Sequence, residues 1–162
     1  MPKQLQNFSS NWMRFDRFEE LEAEDQSLLL AAREALKKAY APYSNFHVGA
    51  ALLLDNHDIV SGANYENAAY SMCLCAERSA IATAVSAHPG RQIIKIAITV
   101  RNPAKPVLSP AAPCGACRQV MVETEYRQQN DMRVIMQGEA GEVYVLPSSK
   151  FLLPFYFDGS YL

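Results

Sequence analysis

Residues 75–100 read CAERSAIATAVSAHPGRQIIKIAITV, and the change of pattern inside this stretch decides the fold class. Over Cys75–Ala87 small and apolar residues recur at helical spacing, with Ala76, Ala80, Ile81, Ala84 and Val85 on one side, which predicts a helix. HPGRQ breaks the period. IIKIAITV follows as a short run rich in β-branched residues, the pattern of a strand buried on both faces. A helix that hands over to a fully buried strand points to layered α/β architecture.

The flanking sequence extends that reading in both directions. Upstream, AEDQSLLLAAREALKKAY carries Leu28, Ala31, Ala32, Ala35, Leu36 and Ala39 at helical spacing, with Glu24 and Asp25 in the first turn. Pro42 and Asn45 in APYSN end that helix, and FHVGAALLL, DNHD and IVSGANYE predict a β-hairpin. Downstream, the proline-rich NPAKPVLSPAAP delivers the chain to Cys114, GACRQVMVETE resumes helical spacing, and MRVIMQ and EVYVLP are joined through GEAG as two further strands. The expectation is a three-layer α/β/α sandwich with a mixed sheet of about five strands. Residues 1–20 are expected to form an irregular arm and residues 21–162 a single domain, with no internal repeat or low-complexity tract.

Composition narrows the function classes. A chain of 162 residues with 49% hydrophobic content buries a sizeable core without disulfide staples. The first residues, MPKQLQNFSSNWMRF, hold no apolar run of signal-peptide length, and no apolar run approaches the roughly 18 residues of a membrane span, so a cytoplasmic protein without membrane partners is expected. Thiols stay reduced there, and the close pairs Cys73/Cys75 and Cys114/Cys117 are read as metal-binding or catalytic. A formal charge of −2 argues against a nucleic-acid polymer as partner and favours small solutes.

The cysteines admit two counts. Cys114 and Cys117 form a C-x2-C turn that presents two sulfurs to one ion, and the turn opens a helix, whose N-terminus lowers thiol pKa values. Cys75 also opens a helix, whereas Cys73 precedes it. This asymmetry favours three ligands, Cys75, Cys114 and Cys117, with solvent as the fourth. A closed site that includes Cys73 is the alternative, and it gives Glu77 no task. With three ligands, Glu77 in the first helical turn lies where a carboxylate can shuttle protons to and from a metal-bound water.

NYENAAYSMCLCAERSA together with PCGACRQV resembles the small, three-cysteine class of cytidine deaminases, and the likeness runs from YAPYSNFHVGAALL to LLPFYF. The resemblance implies one zinc ion per chain on Cys75, Cys114 and Cys117, with Glu77 as proton shuttle. It implies a substrate site in which Asn64 and Glu66 hydrogen-bond a ribose hydroxyl, Phe46 packs on the pyrimidine and Ala76 offers its backbone N–H to the base carbonyl. It further implies a homotetramer in which Tyr70 reaches a neighbouring subunit's site. The activity so implied is hydrolytic deamination of cytidine and 2′-deoxycytidine in pyrimidine salvage. Two alternatives stay open: a small deaminase for another cytosine nucleoside, such as an antibiotic, and a non-catalytic four-cysteine module.

Three further readings complete the sequence. Three thiolates and a zinc dication sum to a negative site, so Arg78, beside Glu77, is expected to donate to the ligand sulfurs, with Arg118 a weaker candidate. His47, His57 and His88 are scattered and receive no ligand role. The tail FLLPFYFDGSYL carries Phe151, Phe155, Tyr156, Phe157 and Tyr161, apolar surface that calls for a partner.

Overall fold

The computed structural model describes residue 4 and residues 6–162. Six strands, β1 (Met13–Phe15), β2 (His47–Leu54), β3 (Ile59–Ala63), β4 (Ile93–Arg101), β5 (Arg133–Gln137) and β6 (Val143–Leu146), form one sheet in the order β1-β6-β5-β4-β2-β3. Only the β4–β5 pair is parallel, so the sheet is mixed as expected. The helices are α1 (Ala23–Leu36), α2 (Ala76–Ala87) and α3 (Gly115–Gln128), and α3 lies in the crossover that a parallel β4–β5 pair requires.

The layers follow from strand alternation. Along β2, Ala50, Leu52 and Leu54 face one core with Ala80 and Ile81 of α2 and Met121 of α3, whereas Ala51 and Leu53 face Leu28, Leu29 and Ala32 of α1. On β4, Ile96 and Ile98 belong to the first core and Ala97 to the second. The central strand is therefore buried on both faces, and α1 on one side with α2 and α3 on the other gives the three-layer sandwich. On the α1 face the fully buried Asp25 receives Lys95 Nζ at 2.6 Å and Arg133 Nη2 at 2.9 Å, so the charge at that interface is paired.

The sheet has one strand more than expected. Met13–Phe15, within the stretch read as irregular, pairs antiparallel with β6, opposite Val143–Val145. Three residues are too few to show an alternating pattern. Pairing and tertiary contacts hold the strand instead: the Trp12 ring lies 4.3 Å from Tyr144, and Arg14 Nε is 2.6 Å from Glu142. The hairpin is as expected, with His57 in the left-handed region (φ 66°) at its turn, although β3 ends at Ala63 and Asn64–Glu66 continue as loop. Helix α1 likewise stops at Leu36, short of Tyr40.

Two glycines set how closely helices approach the sheet. A Cβ on Gly62 would lie 2.5 Å from Ala80 N and 2.9 Å from Ala76 O, both backbone atoms of α2, and one on Gly49 would meet the α1 backbone at 2.1 Å. The fully buried Ala76 and Ala80 complete the contact between α2 and β3, which fixes where the first turn of α2 sits. Gly62→Ala should therefore cost about 1–3 kcal/mol by overpacking. Urea unfolding reads that cost, and an unchanged midpoint would contradict the tight contact.

Candidate active site

Helices α2 and α3 begin at one place. Cys75 is the residue before α2 (φ −71°, ψ 152°) and Cys114 the residue before α3 (φ −66°, ψ 165°), both in the extended conformation that turns a chain into a helix. Neither side chain caps its own helix. The first N–H groups of both helices have no intrahelical acceptors, so positive potential from two helix ends converges on the sulfurs. Cys117, one turn into α3, is buried and completes the group.

The Sγ atoms of Cys75 and Cys114 lie 3.8 Å apart and those of Cys114 and Cys117 3.4 Å, and all three are within 4.8 Å of one another. A zinc ion bound at about 2.3 Å per sulfur in a tetrahedron needs sulfurs about 3.8 Å apart, so the donor set and its spacing fit that metal. Among the described residues this is the only such cluster, and no histidine joins it. Cys73 stands outside it: its sulfur accepts the Asn67 N–H at 3.3 Å and lies 3.6 Å from Asn67 O.

The charges around the sulfurs are graded. Cys75 is held down to about 5 by a hydrogen bond from the Cys117 thiol and then by the Arg78 guanidinium, against the opposing effect of burial. Cys117, the donor to that thiolate, is pushed up by the same bond and by burial. Arg78 Nη2 lies 3.7 Å from Cys75 Sγ and 3.1 Å from Cys73 O. Arg118 instead donates to Pro113 O at 2.8 Å and Leu152 O at 2.9 Å, tying the tail to the loop before Cys114 without contact to the sulfurs. Glu77, 4% exposed, has its carboxyl pushed above the usual range by burial, with the nearby Cys75 charge adding to the effect.

A cavity of about 300 Å³ opens beside this cluster, lined by Cys75, Glu77, Cys114, Phe46, Asn64 and Glu66 among others. Asn64 Nδ2 donates to Phe46 O at 2.9 Å and its Oδ1 accepts Val48 N–H at 2.8 Å, so the side chain bridges to the start of β2. The Glu66 carboxylate accepts the backbone N–H groups of Tyr43 (2.9 Å) and Ser44 (3.2 Å) and the Ser44 hydroxyl, and it is held below the usual range by the Ser44 hydroxyl first. Ala76 is fully buried as the first residue of α2, where its N–H has no intrahelical acceptor.

Tyr70 does not line the cavity. It is 72% exposed in a short 3-10 turn, edge-on to Tyr43 at 6.1 Å. Other wall residues escaped the sequence reading: Val48 and Val100, which face each other across β2 and β4, and Ala111 and Ala112 of the proline-rich loop. The signal for the alanines was their position just ahead of PCGAC. For the valines no signal separated cavity wall from core.

Two helix starts that gather three thiols beside a buried acid define a zinc-dependent deaminase site. Residues 22–130 match the model of the cytidine and deoxycytidylate deaminase zinc-binding region, and the chain belongs to that family. A cytidine deaminase of Halalkalibacterium halodurans is 40% identical over 127 residues, 78% of this chain and 89% of the relative. One from Sporosarcina psychrophila is 46% identical over 98 residues, 60% of this chain and 68% of the relative. Among solved structures, cytidine deaminase from Burkholderia pseudomallei superposes with a TM-score of 0.70 at 43% identity, covering 81% of this chain and 97% of that one.

Proposed function

We propose that residues 21–162 form a single catalytic domain that hydrolytically deaminates cytidine and 2′-deoxycytidine to uridine and 2′-deoxyuridine, a reaction of pyrimidine salvage. The observation that carries the reading is the buried Glu77 carboxyl beside a three-thiol cluster in the wall of an open cavity. A closed four-cysteine module would leave that acid without a task, and Cys73 is engaged with Asn67. The likeness to cytidine deaminases favours cytidine over other cytosine nucleosides.

Cys75, Cys114 and Cys117 would hold one zinc ion per chain, and Arg78 would offset the thiolate charge through Cys75. Bound zinc supplies a Lewis acid that lowers the pKa of water and so provides a nucleophile near neutral pH. Glu77, acting from the first turn of α2, takes one proton from the attacking water and delivers it to N3, then takes the second from the hydroxyl now on C4 and delivers it to the departing amine. Its raised pKa suits both directions of transfer, and its burial keeps the proton from bulk solvent. Phe46 would pack on the base, Asn64 and Glu66 would bind a ribose hydroxyl, and the Ala76 N–H would meet the base carbonyl.

The enzyme is read as a cytoplasmic homotetramer. Reduced thiols in an open metal site call for a reducing compartment. Exposed Tyr70, Phe155 (100%) and Tyr161 (71%) supply aromatic surface for neighbouring subunits. Light scattering that finds an active monomer at micromolar concentration contradicts the assembly.

Glu77→Gln tests the chemistry. The amide keeps the size but carries no proton, so the variant should fold, retain zinc and turn cytidine over at least about a hundredfold more slowly. In the wild type, activity needs the carboxylate, so kcat/KM falls as pH drops through the raised pKa of Glu77. Loss of cytidine absorbance follows both effects. Near-normal turnover of the variant with intact zinc contradicts the mechanism.

A further inference from the structure

We infer that Ser44 is a positioning residue: its hydroxyl locks the Glu66 carboxylate in the orientation that accepts a sugar hydroxyl. The inference rests on the nucleoside reading of the site. Residues 40–46, between α1 and β2, are laid along residues 64–66 by two backbone bonds, Tyr40 N–H to Asn64 O at 3.0 Å and Glu66 N–H to Tyr40 O at 2.8 Å. Ser44 thus sits on an anchored turn. Asn45 adopts the left-handed conformation (φ 53°), which asparagine tolerates, and the turn brings the Phe46 N–H to within 3.0 Å of Ser44 Oγ.

That contact decides where the Ser44 proton points. With a lone pair of Oγ occupied by the Phe46 N–H, the hydroxyl hydrogen is directed at Glu66 Oε1. Oε2 is taken by the backbone N–H groups of Tyr43 and Ser44. An ionised carboxylate offers about four acceptor positions, so three donors leave one for a ligand in the cavity that Glu66 lines. Three bonds from one turn also remove the rotational freedom that a glutamate would otherwise lose when a ligand binds, so a sugar hydroxyl meets an acceptor already in position. Neither the composition of APYSNF nor its turn-forming residues reveal this role, which depends on Glu66 lying 22 residues away.

The experiment compares Ser44→Ala, Ser44→Thr and wild type on cytidine and on 2′,3′-dideoxycytidine, which lacks the 2′- and 3′-hydroxyls that the inference assigns to Glu66. For Ser44→Ala with cytidine, KM should rise roughly three- to tenfold with kcat little changed, the effect of one unordered side chain. With 2′,3′-dideoxycytidine the penalty should vanish, and Ser44→Thr should restore cytidine to wild-type KM. An equal loss on both substrates would assign Ser44 to loop integrity and overturn the inference, as would an unchanged KM for cytidine. Wild-type protein that binds zinc yet fails to deaminate cytidine would instead overturn the nucleoside reading, and the inference with it.

Discussion

Everything in the site depends on the starts of α2 and α3 meeting at one point. Cys75 and Cys114 are 39 residues apart in the chain, yet their sulfurs lie 3.8 Å from each other. That proximity is built by backbone packing. Gly62 and the small residues of α2 let the helix settle onto β3, the β2 and β4 ladders fix that hairpin to the sheet centre, and α3 packs on the same face through Met121. The arrangement concentrates like charge: thiols that ionise together repel unless something positive collects them. Two helix ends and the Arg78 guanidinium supply part of that positive charge, and the dication proposed for the three sulfurs would supply the rest.

The acid beside the cluster is buried without an ion pair among the described residues. A carboxylate taken out of water costs free energy unless it is paired, and no ion pair holds Glu77 as Lys95 and Arg133 hold Asp25. Three acids are buried, and they differ in what holds them: Glu125 accepts the N–H groups of Met132 and Ser149 and the Ser148 hydroxyl. Asp25 on the α1 face is neutralised by two cations and ties α1 to β4 and β5. Glu77 on the α2 face is left to hold its proton more tightly than usual, at the edge of a cavity. A group poised in this way suits the proton transfer proposed for it.

Much of this was legible in the sequence because it was local. Helical spacing after Cys75, the apolar run IIKIAITV and the C-x2-C turn are each contained in a short window, and each is found where the pattern set it. The separation of Cys73 from the three other cysteines could also be argued, since the choice turned on which residues open helices. Long-range features left no such mark. Strand β1 exists because β6 offers it an edge and Tyr144 offers Trp12 a ring, and nothing within MRF encodes that. Val48 and Val100 read as ordinary core. The bonds from the Tyr43–Ser44 turn to Glu66 join residues more than twenty positions apart and appear only once the turn and the loop after β3 lie side by side.

We propose that three sulfurs of this chain hold zinc and leave one position for water. X-ray absorption at the zinc edge of the purified, zinc-loaded protein counts those ligands directly. The account predicts three sulfur scatterers at about 2.3 Å and one oxygen or nitrogen scatterer at about 2.0–2.1 Å. Four sulfurs, with Cys73 as the fourth, would describe a closed structural site and contradict it.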